Sequence, residues 1–532
     1  AVAGINGVSY DTLDGAINAT KNGDTITILQ EGSYAGTLLD GLSNKKATIK
    51  AADKVNVKFD MPKTDYQVVT LSDAEVTFEG IEFNYGTANY VGLAHTDRVV
   101  YNNCTINGQV FLYGASETFN DCTFNQNSAD AYNVWTYGAK EVKFNDCTFN
   151  CAGKSVLVYN EGSNSGTDLT VTDTTFHASQ PVEGKAAIEI DTSLMKGQTK
   201  ISVDQATADK IDGFGVSSNS GSSLWNDKRQ TVETNKNTTV VVAGKTVFEP
   251  TCVDLDTFIK MVENSNYNFD GTRGNGSKLT VKWSPVSGCF DTRSGHTCKV
   301  KNADATGNTP NRVNSDLAQY QLFKAATDVT IKNVNFEYIP ADFTICANSD
   351  WAGSWTGDVV KSAQLQLETK AAGDIVIDGC SFDQVVFTSF NNNDGSTTIK
   401  NSEFKNIYNS YAIKDIRGTK VSVTDTTITN CGGGIMVSST KSVDEVTISD
   451  NIFTNVDVTG TAPEDKVGTR GLIQIASSGD YTEADITLDG NTATNCGLIL
   501  RQLNQGIADN DVLKNNLKGD LTGLGGKLTY TS

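Results

Sequence analysis

The chain has 532 residues, with 43 Lys+Arg against 63 Asp+Glu, which gives a formal net charge of −20. This length is enough for more than one domain with a buried core. The negative charge argues against nucleic acid as the main partner, because the long-range field repels a polyanion. No apolar run approaches the roughly 18 residues that a membrane span needs, so insertion into a membrane is not expected.

A short helix is predicted near the start of the chain. Asp11 is expected to cap it, its apolar side carries Leu13, Ala16 and Ile17, and Gly23 lies beyond its end. Such a helix would cover the first edge of a stacked β structure, which would otherwise pair with another chain.

A repeat of about 23 residues dominates the sequence. The string FNDCTFN stands at 119–125 and again at 144–150, and in each copy two Phe residues lie five positions apart. The same spacing of apolar residues recurs along both halves, mostly 18 to 27 residues apart. Asn, Asp and Gly between the apolar residues are typical of tight turns. A period of this length with short β-rich pieces predicts stacked coils of a solenoid.

The 11 cysteines do not form the dense pattern of a small disulfide scaffold. Cys104, Cys122 and Cys147 hold one position in three successive repeats. We expect a buried ladder of free thiols there, because stacked positions are spaced too widely for easy disulfide geometry. Cys289 and Cys298 lie in one loop and are the best disulfide candidates, and the bridged and unbridged states are both left open.

Two domains are predicted, 1–245 and 246–532. A second helix start at 253–265 follows a polar stretch at 216–237. The period is broken near 265–325, which indicates an irregular insertion in the second domain. One continuous solenoid with a bulky interruption is the alternative.

The helix followed by Gly-Asp-Thr-Ile, and then by coils with Asn/Asp-Cys/Gly-x-Phe turns, resembles secreted members of the right-handed parallel β-helix, pectate-lyase-like superfamily. More narrowly, the chain is similar to β-helix repeat surface proteins of anaerobic Gram-positive bacteria. The resemblance covers nearly the whole chain at the level of fold. It implies an all-β fold of two right-handed parallel β-helix domains, each opened by a short capping helix. The superfamily contains polysaccharide lyases, glycoside hydrolases and adhesins, so it implies a glycan or a surface and no particular reaction.

A row of aromatic residues recurs in the first half. Tyr113, Tyr137 and Tyr159 are spaced by 24 and 22 residues, which suits either a sugar-stacking platform or an interior ladder. Aligning KSVLVYNEG with KAAIEIDTS pairs Tyr159 with Ile190 and sets Glu189 on the opposite face. A charged side chain seldom points into a core, so this alignment favours the interior ladder.

A basic strip is predicted on the second domain. Aligned repeats place Lys414, Met436 and Arg501 outward on one face, with Gln474 beside them. Such a strip suits the carboxylate or sulfate of a sugar, and a Lys or Arg there could abstract a proton next to a carboxylate. The alternative is a set of charges that only solubilises the surface. The candidate catalytic residues are Lys414, Asp415 and Arg501, and the candidate substrate-binding residues are Arg417, Arg470, Gln474, Gln502, Trp351 and Trp355.

The sequence calls for no cofactor and leaves calcium open, since the loop 390–396 (FNNNDGS) resembles an acidic loop without the full EF-hand spacing. The expected partner is a glycan or polysaccharide, anionic if it binds the basic strip, and self-assembly is a second option. Ala1 is consistent with a mature N-terminus after removal of a signal peptide, so an extracellular or cell-surface location is expected. A structural or adhesive role is favoured over that of a carbohydrate-active enzyme, because no catalytic signature of the superfamily is found.

Overall fold

The structure is a computed structural model. It describes residues 1–159, 166–191, 197–215, 223–227, 237–285, 290–291, 296–301, 308–314, 317–345, 359–370, 372–390, 392–504, 517–518 and 528–530. Contacts divide the chain into two compact units, Ala1–Pro250 and Thr251–Ser532. Much of the stretch around 286–316, within the predicted irregular insertion, lies outside the described residues.

Both units are built from parallel strands stacked coil upon coil. In the first unit, each coil contributes one strand to each of three faces, so that neighbours in a sheet come from successive coils. Phe119 pairs in register with Phe144, and Phe124 pairs with Phe149. Coil stacking therefore places like residues above like residues and buries them together. This arrangement confirms the predicted all-β, parallel β-helix fold.

The first unit has one long sheet, a second sheet and a third face. The long sheet contains Val8–Tyr10, Ala3–Ile5, Thr25–Ile28, Lys46–Ala51, Glu75–Glu79, Arg98–Asn102, Ser116–Asn120, Glu141–Asn145, Asp168–Thr172, Thr199–Val203, Thr238–Val242 and Lys245–Phe248. The second sheet contains Gly32–Ala35, Val57–Asp60, Glu82–Asn84, Thr105–Asn107, Thr123–Gln126, Thr148–Cys151, Thr175–Ala178 and Ile211–Asp212. The third face contains Val69–Leu71 with Leu93–His95, and then Val110–Leu112, Val134–Thr136, Val156–Tyr159, Ile188–Asp191 and Trp225–Asp227.

The second unit has two large sheets and a small antiparallel one. One large sheet contains Asn268–Asp270, Val329–Lys332, Asp374–Asp378, Ser396–Lys400, Lys420–Thr424, Glu445–Ser449, Asp485–Asp489 and Leu517–Lys518. The other contains Cys252–Val253, Leu279–Trp283, Arg312–Asn314, Leu317–Leu322, Val334–Tyr338, Ser362–Leu367, Ser381–Asp383, Val385–Ser389, Glu403–Ile416, Thr427–Val437, Ile452–Val456, Ile473–Ile475, Thr492–Thr494, Leu500–Gln502 and Leu528–Tyr530. The small sheet contains Phe290–Asp291, His296–Lys301, Ala341–Ile345 and Val359–Val360.

Short helices open both units. The first, Leu13–Ala19, buries the expected apolar side, but its cap is Thr12, whose side chain accepts a hydrogen bond from the Gly15 amide, and not Asp11. The helix Leu255–Asn264 is capped by Asp254. The remaining helical segments are Gln205–Ala208 and the 3-10 turns Gly36–Leu42 and Glu464–Lys466. No helix in the described part of the chain is long and apolar enough to cross a membrane.

The FNDCTFN repeat is explained by its position in the coil. Its two Phe residues are buried in the core, and its Asp residues, Asp121 and Asp146, adopt φ of +52° and +53° at the turn between two strands. Asp tolerates this left-handed conformation better than most residues, because its short side chain can hydrogen-bond locally. The repeat thus encodes a corner of the solenoid.

The Asn residues of the repeat form hydrogen-bonded ladders along the solenoid. Asn125 Nδ2 donates to Asn107 Oδ1 at 3.0 Å, and Asn150 Nδ2 donates to Asn125 Oδ1 at 3.1 Å. The ladder begins on a carboxylate, since Asn84 Nδ2 donates to Asp60 Oδ1 at 3.4 Å and Asn107 donates to Asn84 in turn. The second unit repeats the arrangement, with Asp383 followed by Asn406, Asn430, Asn455 and Asn495.

The predicted thiol ladder is present in the first unit. Cys104, Cys122 and Cys147 are buried and free. Each Sγ hydrogen-bonds a carbonyl of the preceding coil, as Cys122 does with Tyr101 O at 3.4 Å and Cys147 with Phe119 O at 3.3 Å. Cys289, one half of the candidate disulfide with Cys298, lies outside the described residues, so the bridged and unbridged states both stay open.

The register of the third face corrects the prediction for the aromatic row. Leu157 pairs with Glu189, and Tyr159 pairs with Asp191, one residue away from the alignment expected from sequence. Because side chains alternate along a strand, this single step moves Tyr159 from the interior to the outer face. The interior-ladder interpretation of the tyrosines is therefore wrong, and all three are partly exposed.

Candidate functional site

The predicted basic strip lies on the outer face of the larger sheet of the second unit. Met436 pairs in register with Gln474, and Gln474 pairs with Arg501. The flanking column of Ile435, Ile473 and Leu500 is buried. Alternation along the strands thus turns Met436, Gln474 and Arg501 away from the core, although Gln474 is only 6% exposed.

Tyr411 is only 6% exposed and lies beneath this part of the outer face. Its hydroxyl donates to the backbone oxygen of Arg470 at 2.8 Å and contacts Oε1 of Gln474. Arg501 Nη1 donates to the backbone oxygen of Thr469, next to Arg470 in the chain. We call Tyr411, Arg470, Gln474 and Arg501 the Tyr411 cluster. Sequence reasoning found its three other members and missed Tyr411.

Hydrogen bonds with Asn409 and Asp457 hold the loop that carries Arg470 in place. Arg470 Nη2 donates to the backbone oxygen of Asn409 at 2.9 Å and to its Oδ1 at 2.7 Å. The buried carboxylate of Asp457 accepts hydrogen bonds from the Gly468 and Gly471 amides at 2.8 and 2.9 Å. These contacts hold the loop against the sheet, so the guanidinium is positioned before any ligand arrives.

Three consecutive glycines let this cluster form. A Cβ at Gly433 would lie 2.8 Å from the Tyr411 ring and 2.9 Å from Cβ of Arg470. A Cβ at Gly434 would lie 2.0 Å from the Leu472 oxygen. Glycine inside a strand often marks a place where another group approaches closely. The string GGG within a predicted strand is the sequence signal that would have pointed to the missed neighbour.

The electrostatics of the Tyr411 cluster favour an anion. Burial raises the pKa of Tyr411, and the guanidinium groups of Arg501 and Arg470 oppose that rise, so the phenol stays protonated near neutral pH. Two guanidinium groups therefore lie beside a neutral hydroxyl, with the buried carboxylate of Asp457 behind them. A guanidinium has five N–H donors in a fixed planar fork that matches a carboxylate or sulfate.

Asp415 and Arg417, near the end of the long strand Glu403–Ile416, contact residues that are not in the Tyr411 cluster. Asp415 Oδ1 accepts a hydrogen bond from Ser438 Oγ at 3.1 Å. The Arg417 guanidinium stacks over the Phe390 ring at 4.1 Å, and burial lowers its pKa while Asp415 opposes that effect. The predicted site is thus divided between the Tyr411 cluster and an Asp415–Arg417 pair.

The remaining predicted site residues are Lys414, Gln502, Trp351 and Trp355, and the structure describes the side chain of Lys414 alone among them. Lys414 is partly exposed in the strand Glu403–Ile416. Gln502 pairs in register with Ile475, and its side chain lies outside the described part. Trp351 and Trp355 are also outside it, so their part in the site stays a prediction.

The loop 390–396, which the sequence left open for calcium, contacts Thr440 and Lys441. Asp394 forms an ion pair with Lys441 at 2.7 Å, and Asn393 Oδ1 accepts from the Thr440 amide and hydroxyl at 2.9 Å. Among the described residues, no group of three or more His, Cys, Asp or Glu side chains is arranged to hold a metal ion. Calcium binding at this loop therefore stays a prediction from the sequence.

Comparisons with known proteins add little to this picture. No family model matches the chain, and no curated protein matches it. A solved structure of a mutant PL6-family alginate lyase is 10% identical, with 92% of this chain and 96% of that chain covered, at a TM-score of 0.16. A likeness at that score carries no argument about function.

Proposed function

We propose that this protein is a secreted or cell-surface β-helix protein with a structural or adhesive role, which binds an anionic glycan at the Tyr411 cluster. The observation that carries the proposal is that hydrogen bonds to Asn409 and Thr469 hold Arg470 and Arg501 near Tyr411, in a chain with a net charge of −20. Such a local excess of positive charge runs against the overall field, and a fixed pair of guanidinium groups is well suited to a uronate or sulfate.

The contacts also suggest how the ligand would be oriented. The carboxylate or sulfate would lie against the guanidinium groups, above the buried Gln474 that is in register with Arg501. Because exposed charge pairs are screened by salt, binding by this mode weakens as ionic strength rises.

A carbohydrate-active enzyme, either a polysaccharide lyase or a glycoside hydrolase, is the second candidate. It is favoured by Asp415, which lies beside a half-buried Arg417 whose pKa is lowered, since perturbed titratable groups concentrate at catalytic sites. In that reading Lys414, Asp415 and Arg501 act on the substrate, and Arg417 and Arg470 hold it.

Binding to alginate, polygalacturonate and a sulfated glycan, measured by calorimetry on the intact protein, tests the first proposal. Arg501→Ala and Arg470→Ala should each weaken binding about tenfold or more. Arg98→Ala is the matched control, because Arg98 is an exposed arginine on the first unit. Equal affinity in Arg501→Ala and Arg98→Ala would remove the Tyr411 cluster from consideration.

Product release from the same polysaccharides separates the two candidates. An enzyme should release unsaturated or reducing-end products, and Lys414→Ala and Asp415→Ala should abolish the release while leaving binding largely intact. Binding without products, together with concentration-dependent light scattering, supports the structural or adhesive role and its self-assembly option.

A further inference from the structure

The first unit carries a groove lined by aromatic residues, independent of the Tyr411 cluster in the second unit. The groove has a volume of about 510 Å³ and is lined by Tyr66, Val68, Tyr90, Tyr113 and Tyr137. This volume is in the range of ordinary ligand pockets, about 300–1,000 Å³. Tyr66 is 73% exposed and Val68 is 41% exposed, which is unusual for large apolar side chains that have a core available to them.

The rings of the groove are ordered in two layers. Tyr66 stacks on Tyr90 with centroids 4.6 Å apart, and Tyr137 meets Tyr90 edge-on at 5.4 Å. Beneath them, Phe111 stacks on Trp135 at 4.7 Å, and Tyr90 contacts Phe111 at 5.0 Å. Aromatic pairs at these distances are attractive, so the upper rings are held in place by the lower ones.

The loops that present the upper tyrosines are also fixed. The buried Gln109 amide donates to Asn89 Oδ1 at 2.9 Å and to the Ala88 oxygen at 3.1 Å. The Tyr66 amide donates to the Asn89 oxygen at 3.1 Å. Ligand binding at such a surface loses little conformational entropy, because the rings are already ordered.

Two of the tyrosines occupy a strained backbone conformation. Tyr66 and Tyr90 have φ of +67° and +61°. A bulky side chain in this region costs free energy that glycine would avoid, and such positions concentrate at ligand-binding surfaces. Tyr66 and Tyr90 keep their aromatic rings in spite of this cost, and the two rings stack on each other in the groove.

The chemistry of the lining identifies the occupant. None of the five lining residues is charged, although the chain carries a net charge of −20. An uncharged surface on a negatively charged protein is complementary to a neutral ligand, because it neither attracts a polyanion nor pairs with a cation. Tyrosine rings offer apolar faces to the C–H faces of a sugar, and their hydroxyls offer hydrogen bonds to sugar hydroxyls.

The row of rings also fits an extended ligand. Tyr113 and Tyr137 come from successive coils, with their centroids 5.7 Å apart and their planes at 73°, and Tyr159 follows 6.4 Å from Tyr137 with the planes at 33°. A chain of sugar rings laid along the solenoid would therefore meet one aromatic ring per coil. We propose that this groove binds a neutral polysaccharide by stacking its sugar rings on the tyrosine row.

Affinity gel electrophoresis of the intact protein tests this inference. Gels would contain glucomannan, arabinoxylan or mixed-linkage β-glucan, with alginate as the charged comparator. At least one neutral polymer should retard the protein. Tyr113→Ala and Tyr137→Ala should each weaken the retardation about tenfold, and Tyr137→Phe should keep most of it, because the ring remains.

Tyr34→Ala is the matched control, since Tyr34 is a partly exposed tyrosine of the same unit that is not part of the groove. Circular dichroism of each variant checks that the coils remain folded. The inference is overturned if no neutral polymer retards the protein, if the alanine variants behave like the control, or if they abolish self-association instead, which would make a second copy the occupant. Loss of alginate binding in Arg501→Ala leaves this inference untouched.

Discussion

His95 and Glu117 face each other inside the first unit, with Nε2 of His95 3.4 Å from Oε1 of Glu117 and both side chains at most 1% exposed. Tyr85 and Tyr101 lie close enough that Glu117 contributes to raising their pKa values, after burial. The other carboxylate oxygen, Glu117 Oε2, has no hydrogen-bond partner in the part of the chain that is described. A carboxylate buried with so few partners is costly when ionised.

Glu117 should therefore make stability fall as pH rises. Burial raises the pKa of Glu117, and His95 opposes that rise only in part. The folded state thus holds a proton that the unfolded state releases, so stability is lost as pH rises through the raised pKa. The free energy of unfolding of Glu117→Gln should therefore rise relative to that of the wild type as the pH is raised from about 5 to about 8, because the amide has no proton to release. Denaturant titrations at both pH values measure this, and the exposed Glu141→Gln is the control.

The asparagine ladder predicts a loss that depends on position. Asn125→Ala removes one donated and one accepted hydrogen bond, so it should lower the free energy of unfolding by about 1–2 kcal/mol. Asn127→Ala, an exposed asparagine two residues away, should have little effect. Chemical denaturation measures both variants, and equal losses would mean that the ladder adds no stability.

The triple glycine predicts a link between packing and binding in the second unit. Gly433→Ala places a methyl group against the Tyr411 ring and Arg470, so it should cost about 1–3 kcal/mol and weaken polyuronate binding. Gly4→Ala adds a methyl group at ordinary contact distances of 3.6 and 3.8 Å and should be tolerated. Thermal unfolding and calorimetry test the pair. Unchanged binding in Gly433→Ala would separate the glycine from the ligand site.

The buried thiols should resist alkylation. Burial raises the pKa of Cys151, Cys380 and Cys431 to about 12, so few thiolates exist near neutral pH. Cys496, which is only half-buried, should react with iodoacetamide before these three. Peptide mass mapping over time resolves each site, and rapid labelling of Cys431 in the folded protein would contradict its placement.

The fold was predictable because the repeat places apolar residues at the same core positions in coil after coil. Phe119 and Phe144 fix the register of their coils, since the strings around them are identical. The column of Met436, Gln474 and Arg501 was found for a similar reason, because its apolar neighbours recur.

The aromatic groove was missed for a reason of register. The sequence alignment matched Lys154 with Lys185, because both begin similar strings. The two strands instead pair one residue further along, with Val156 opposite Ile188. In a strand, one residue exchanges the two faces, so a small error in alignment reversed the environment of Tyr159. Tyr411 was missed because it is brought to Arg470 by packing across Gly433, which a sequence motif does not encode.

The direction of the asparagine ladders has a consequence for how such a chain can change in length. In the ladders that begin at Asp60 and Asp383, each asparagine donates towards the preceding coil, and interior rungs such as Asn125 also accept from the following one. A coil inserted between two others finds an acceptor on one side and a donor on the other, and leaves no amide unpaired. Duplication of a segment such as 119–143 therefore extends the solenoid by one turn without redesign of its neighbours, so the number of coils is free to drift in evolution.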